Sequence, residues 1–267
     1  MNRLIRTLLF LTALTGTAGA SSVPRNLILV HGAHLDAASW RPLLGALGNV
    51  PVRAVQLPGR RDSLDPHAVT LELSARKLCQ EIAATKGEIT LLAHSQGGAV
   101  VNHSLGLCQN RKVRSIIYLA AVAPFSGEKP FDLLSKTDEQ NYLQGVAFDQ
   151  AAGLFKIVSR EKFLQSFSPD ATQAERDYIF AGAVAEPSRI GEGVVQFPRH
   201  TFDHLEKFYI LTTQDQIITA QSQLRILQRL RLSGIYRLVS GHLPMVTAPR
   251  ELSRIIHEIM ARQGLRR

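Results

Sequence analysis

The chain has 267 residues, 45% of them hydrophobic and 20% charged, with a formal net charge of +9. This length suits one α/β domain with a sizeable core, and the ordinary composition excludes a disordered, fibrous or low-complexity chain. The basic residues are dispersed apart from Arg262, Arg266 and Arg267 at the tail, and aromatics do not interleave with them, so the charge reads as solvated surface and no nucleic-acid partner is expected.

The first element is a leader. Met1-Asn-Arg-Leu-Ile-Arg6 is a basic n-region, Thr7 to Thr15 is an apolar stretch too short to span a bilayer, and Ala18-Gly-Ala20 fits a small-residue cleavage site. The expectation is a signal peptide over 1–20, a single domain over 21–267 and a secreted or periplasmic product. Without Arg3 and Arg6 the charge of +9 falls by two, to +7. No later segment reaches about twenty consecutive apolar residues, so no stable membrane insertion is expected after cleavage.

Asn26-Leu-Ile-Leu-Val30 is a short apolar run of the kind buried in a parallel sheet. It ends in His31-Gly32-Ala33, and a helix-like stretch follows near Ala38 to Leu47. Further strand-like runs at 51–57, 88–94, 113–121, 207–213 and 235–240 alternate with helical patterns, one of them from about Thr70 to Ala84. This alternation predicts a mostly parallel sheet of about six strands with helices on both faces.

Ile89-Thr-Leu-Leu-Ala-His-Ser-Gln-Gly-Gly98 reads as a buried strand entering a sharp turn of small residues that carries Ser95, the form of a nucleophile elbow. Ala93 stands where that pattern usually has glycine. A serine attacking a carbonyl needs donors aimed at the developing oxyanion. In a strand-turn-helix of this kind they are the N–H after the nucleophile and one from the loop after an earlier strand, here Gln96 and Ala33.

After Pro124 the βα rhythm stops. Helix-like stretches near 138–148, 160–167 and 172–185 predict a helical cap inserted over about 125–202, before the next strand. Nine of the eleven phenylalanines fall in this insert. An apolar insert of this kind must bury its face over the sheet's upper edge, which predicts a mostly apolar pocket for an apolar or aromatic substrate.

A serine hydroxyl is a poor nucleophile at neutral pH, so it needs a histidine base, and the histidine needs a carboxylate to fix its tautomer. Phe208-Tyr-Ile-Leu-Thr-Thr213 leads to Asp215, and Ile235-Tyr-Arg-Leu-Val239 leads to His242. The run from Ile116 to Pro124 has no carboxylate, which favours Asp215 as the acid. Of the other histidines, His94 should point to the other side of the turn, and His31 is assigned to the loop under the oxyanion donors. His103 and His257 fall on helices; His34, His67, His200 and His204 fall in loops, where exposure is the default. Asn102-His-Ser104 matches a glycosylation sequon but lies in a predicted helix.

Leu-Val-His-Gly-Ala at 29–33 with Trp40 beyond, the serine elbow, Thr-Thr-Gln-Asp at 212–215 and Gly-His-Leu-Pro-Met at 241–245 resemble the α/β-hydrolase superfamily. More narrowly they resemble the small esterases and hydroxynitrile lyases that include plant methylesterases. The resemblance implies Ser95 as nucleophile, His242 as general base and acid, Asp215 as orienting carboxylate, and no metal or organic cofactor. It also implies a serine carboxylesterase acting on a small ester. Lyases of this group place a lysine after the histidine and a threonine where this chain has Gly32; here Leu243 follows His242. A ligand receptor retaining the triad is the other alternative. Cys79 and Cys108 fall on consecutive helices that can share one face of such a sheet. They form a disulfide in an oxidising compartment or sit as two buried small side chains, and the sequence leaves both readings open. It leaves the oligomeric state open as well.

Overall fold

The computed structural model describes residues 25–108 and 111–265, so the leader expected over 1–20 lies outside the described residues. In chain order the first half comprises β1 (Arg25–Val30), α1 (Arg41–Leu47), β2 (Val52–Val55), α2 (Leu71–Ala84), β3 (Glu88–His94), α3 (Gly97–Leu107) and β4 (Val113–Leu119). The insert follows with α4 (Lys136–Gly145), β5 (Val146–Asp149), β6 (Leu154–Ile157), α5 (Arg160–Phe167), α6 (Gln173–Gly182), β7 (Glu186–Pro187), α7 (Ser188–Glu192) and α8 (Arg199–Asp203). The chain then returns through β8 (Glu206–Thr212), α9 (Ala220–Gln228), β9 (Gly234–Leu238), α10 (Pro244–Thr247) and α11 (Pro249–Leu265).

Among the described residues the main sheet has six strands in the order β2-β1-β3-β4-β8-β9, and each neighbouring pair is parallel. The central strands are apolar on both faces: Leu27 to Val30, Leu91 to Ala93 and Ile116 to Leu119 are fully buried. Such strands need helices on each side. From β1 the chain crosses outward to β2, and from β3 it crosses the other way to β4. Right-handed crossovers therefore put α1 and α3 on opposite faces. The carboxyl ends of β1 and β3 meet where the order reverses, the switch point at which open α/β sheets bind ligands.

The observed strands match the sequence expectation to within a few residues at their ends. The insert is richer than expected. Besides helices it holds a three-stranded antiparallel sheet, β5-β6-β7. The helix expected over 138–148 stops at Gly145, because a side chain on Gly145 would collide with the Phe163 backbone and the chain turns there into β5. One buried apolar cluster runs through the sheet and the insert, joining Leu91 and Ile117 to Val146, Phe163 and Phe167.

Cys79 on α2 and Cys108 at the end of α3 form a disulfide. The sequon at Asn102 is closed to modification: the side chain is fully buried, accepting from Tyr118 Oη at 2.5 Å and donating to Pro124 O at 2.9 Å. No helix among the described residues is long and apolar enough to cross a membrane.

Candidate active site

The turn between β3 and α3 forces Ser95 into the left-handed region, at φ 53°. Its backbone is held on both sides, Ser95 N–H donating to Leu119 O at 3.3 Å and Ser95 O accepting from Val122 N–H at 3.2 Å and Gly98 N–H at 3.1 Å. The small neighbours are required by contact. A Cβ on Gly98 would lie 1.9 Å from Val122 O, one on Gly97 2.6 Å from Val30 O, and one on Gly32 2.5 Å from Ser95 Cβ. Ala93 is buried without exposure, so the methyl group that departs from the usual motif is accommodated in β3.

The structure brings Ser95, His242 and Asp215 together although each comes from a different part of the chain. His242 Nε2 lies 2.9 Å from Ser95 Oγ, and His242 Nδ1 lies 2.7 Å from Asp215 Oδ2. All three are buried, at 6%, 1% and 5% exposure. With a carboxylate on one side, the neutral imidazole carries its proton on Nδ1 and presents the Nε2 lone pair to the hydroxyl, a tautomer assigned from these partners. The carboxylate is itself fixed. Its Oδ1 accepts from Ile217 N–H at 2.8 Å and Ile218 N–H at 2.9 Å, and its Oδ2 accepts from Thr212 Oγ1 at 3.0 Å. Gln223 Nε2 braces the same turn, donating to Thr212 O at 3.0 Å and Ile218 O at 2.7 Å.

Ala33 and Gln96 line one cavity with Ser95, and among the described residues neither backbone N–H has a protein acceptor. Two free N–H groups at the switch point beside a serine form the donor arrangement that stabilises a tetrahedral oxyanion. The cavity is about 630 Å³, within the range of small-molecule sites. Its walls include Leu134, Tyr142, Phe155, Phe167, Ile217 and Ile218, while the half-exposed Phe131, Leu143 and Phe148 sit at its rim. The apolar pocket lined by the insert is thus present.

Two neighbouring histidines serve this frame. His31 Nδ1 lies 2.9 Å from Gly32 O and its Nε2 accepts from Leu57 N–H at 3.3 Å, while burial pushes its pKa down to about 3. His94 Nε2 donates to the backbone oxygen of His242 at 2.8 Å, and burial followed by the adjacent His242 holds it well below the usual imidazole range. Both are therefore neutral in the folded protein.

The surface position expected for His34 is overturned. His34 has no exposure, because the insert folds over the loop that carries it. Sequence reasoning also missed an ion pair at the cavity wall: Arg60 Nη2 contacts the two Glu186 carboxylate oxygens at 2.7 and 2.6 Å, and both residues are 3% exposed. Burial raises the Glu186 carboxyl while Arg60 and the His34 N–H pull it the other way. A single glutamate in the insert and a single arginine after β2 carry no local pattern that could have paired them. His67, His200 and His204 are exposed as expected, and His103 and His257 lie on α3 and α11.

A family model described as the alpha/beta hydrolase family matches residues 27–255, and the chain belongs to that family. It is a hydrolase by fold and family. Among sequence relatives, it is 22% identical over 221 residues to a probable hydrolase of Phoma sp., covering 78% of this chain and 86% of that protein. It is 30% identical over 152 residues to a carbendazim hydrolyzing esterase of Nocardioides sp., covering 52% of this chain and 62% of that protein. Among solved structures, it superimposes on a pyrethroid hydrolase from Sphingobium faniae with a TM-score of 0.75 at 19% identity, over 88% of this chain and 96% of that one. An extracellular alpha/beta-hydrolase from a Paenibacillus species gives a TM-score of 0.77 at 18% identity, over 88% and 98%.

Proposed function

We propose that the protein is a serine carboxylesterase acting on a small, apolar or aromatic ester. The observation that carries this reading is the buried line from Ser95 Oγ through His242 to Asp215, at 2.9 and 2.7 Å. It opens into an apolar cavity beside two unpartnered N–H groups. In the proposed cycle Ser95 Oγ attacks the ester carbonyl as His242 Nε2 takes its proton, and Asp215 stabilises the resulting imidazolium. The carbonyl oxygen, now an anion, accepts from the Ala33 and Gln96 N–H groups. His242 returns the proton to the departing alkoxide, and the alcohol leaves. Water, deprotonated by His242, then cleaves the acyl-serine and restores the hydroxyl. These residues complete the cycle by nucleophilic and acid-base chemistry. Relatives named as esterases or ester-cleaving hydrolases support the same chemistry.

The hydroxynitrile lyase alternative is disfavoured by two residues. Leu243 is apolar where a cation is needed to receive cyanide, and Gly32 lies so close to Ser95 that no side chain fits there without movement. Export from the cytoplasm is the proposed location, supported by the leader pattern at 1–20 and by the Cys79–Cys108 bond, which persists in oxidising compartments. The test of the function is a panel of p-nitrophenyl esters graded in acyl length, run on wild type and Ser95→Ala together. Wild-type turnover with a loss of about 10³-fold or more in Ser95→Ala is expected; comparable turnover by the two proteins refutes the reading.

A further inference from the structure

His34 follows directly on the proposed oxyanion donor Ala33, and every polar group it owns ends on the insert. Its N–H donates to Glu186 Oε2 at 3.1 Å, and its carbonyl accepts from Val184 N–H at 3.0 Å. In the side chain, Nδ1 lies 2.9 Å from Val184 O and Nε2 lies 2.7 Å from Tyr142 Oη. The Val184 carbonyl can only accept, so Nδ1 carries the proton and Nε2 accepts from the tyrosine hydroxyl. The ring also meets Phe163 and Phe167 edge-on, at centroid distances of 5.7 and 5.9 Å. These partners come from α4, α5, β7 and the segment after α6, four separate pieces of the insert. Loops that merely pass over a core do not place all their hydrogen bonds on one foreign element.

The residue is also conformationally demanding. His34 sits at φ 61°, a left-handed conformation that a side chain of this size adopts only when its surroundings hold it there. At the other end of the same loop Gly32 is pressed against Ser95. Ala33 is therefore suspended between the nucleophile and the insert. Arg60 anchors Glu186, which completes the chain of contacts back to the sheet.

We propose that His34 is a positioning residue that makes the alignment of the oxyanion hole depend on the seating of the insert. This rests on the esterase reading above. Oxyanion donors act because they are already aimed when charge develops, and a displacement of about 1 Å costs about 10²-fold in rate. Loosening His34 therefore lowers the rate of acyl transfer while the apolar cavity goes on binding substrate.

The experiment compares wild type, Ser95→Ala, His34→Gly and Tyr142→Phe on a p-nitrophenyl ester that wild type hydrolyses. The affinity of an aryl trifluoromethyl ketone, whose serine adduct places an oxyanion in the hole, is measured alongside. His34→Gly keeps the left-handed backbone and its two main-chain bonds but deletes the ring; Tyr142→Phe deletes only the hydroxyl. The expected result for His34→Gly is a fall in kcat of about 10- to 100-fold with KM nearly unchanged, and an equal loss of ketone affinity. Tyr142→Phe shifts both in the same direction by about 3- to 10-fold. If His34→Gly gives no folded protein, Tyr142→Phe decides alone. Wild-type kcat and ketone affinity in the folded variants, or a loss confined to KM, overturns the inference and leaves the esterase reading intact. An inactive wild type, or a fully active Ser95→Ala, overturns the esterase reading and the inference with it.

Discussion

Replacing Asp215 by asparagine tests the proposed proton path more sharply than removing the serine, because the effect can be worked out atom by atom. Asp215 Oδ1 receives two main-chain donors, Ile217 N–H and Ile218 N–H. An asparagine amide cannot turn its NH₂ toward two N–H groups, so its oxygen takes that position. Its nitrogen then falls where Oδ2 now sits, 2.7 Å from His242 Nδ1. Facing a donor, Nδ1 must accept, which moves the imidazole proton to Nε2. The Ser95 hydroxyl then meets an N–H in place of a lone pair, and its proton has nowhere to go. Enforcing the wrong tautomer in a Ser-His-Asp triad lowers kcat by about 10⁴-fold, about 5.4 kcal/mol of barrier. The assay is steady-state hydrolysis of the best p-nitrophenyl ester near neutral pH, with thermal unfolding as a control for the fold. Asp215→Asn retaining more than about a hundredth of wild-type kcat refutes the assigned roles.

Three further predictions concern stability. The Cys79–Cys108 bond closes a sequence separation of 29 residues, so Cys79→Ala with Cys108→Ala should cost about 3.6 kcal/mol in the chain-entropy account. That corresponds to about 7–14 °C in Tm, read by calorimetry, and a drop under about 2 °C contradicts it. His31 and His34 are buried as neutral rings with pKa values of about 3 and about 4, against an ordinary 6.5. Each binds a proton on unfolding, so the stability it lends is complete above the ordinary value and is lost as pH falls toward the folded one. The cost is about 1.4 kcal/mol per pH unit for each ring. The pH dependence of stability should be shallower in His34→Gly by that amount between about pH 6 and 4.5, and parallel curves refute the assignment. Gly98→Ala should lose about 1–3 kcal/mol or more and most activity, because the methyl overlaps Val122 O and the turn it disturbs carries Ser95; normal Tm and kcat would contradict this.

Much of the site was legible because its parts are local. The run into Ser95, with Gly97 and Gly98 behind it, is a contiguous pattern, and both glycines prove to touch backbone that admits no side chain. Asp215 and His242 were legible from their place at the ends of two apolar runs, β8 and β9. What escaped was set by long-range contact. His34 read as an exposed loop residue because nothing near it is apolar enough to announce burial; its partners are 108 to 152 positions away. Arg60 and Glu186 are 126 positions apart, and neither shows a spacing that points to the other. The small sheet of the insert was missed because four-residue strands such as Val146–Asp149 carry too few residues for alternation to register against the neighbouring helical pattern.

The dependence of residue 34 on Tyr142, Val184 and Glu186 constrains how this scaffold can be re-engineered. Swapping in a lid from another esterase to widen the substrate range would strand an imidazole built for different neighbours. Chimeras should therefore inherit the 32–34 tripeptide from the same donor as the lid, together with whatever occupies position 60. Directed libraries confined to cavity walls would otherwise select revertants at these remote positions before they yield new substrates.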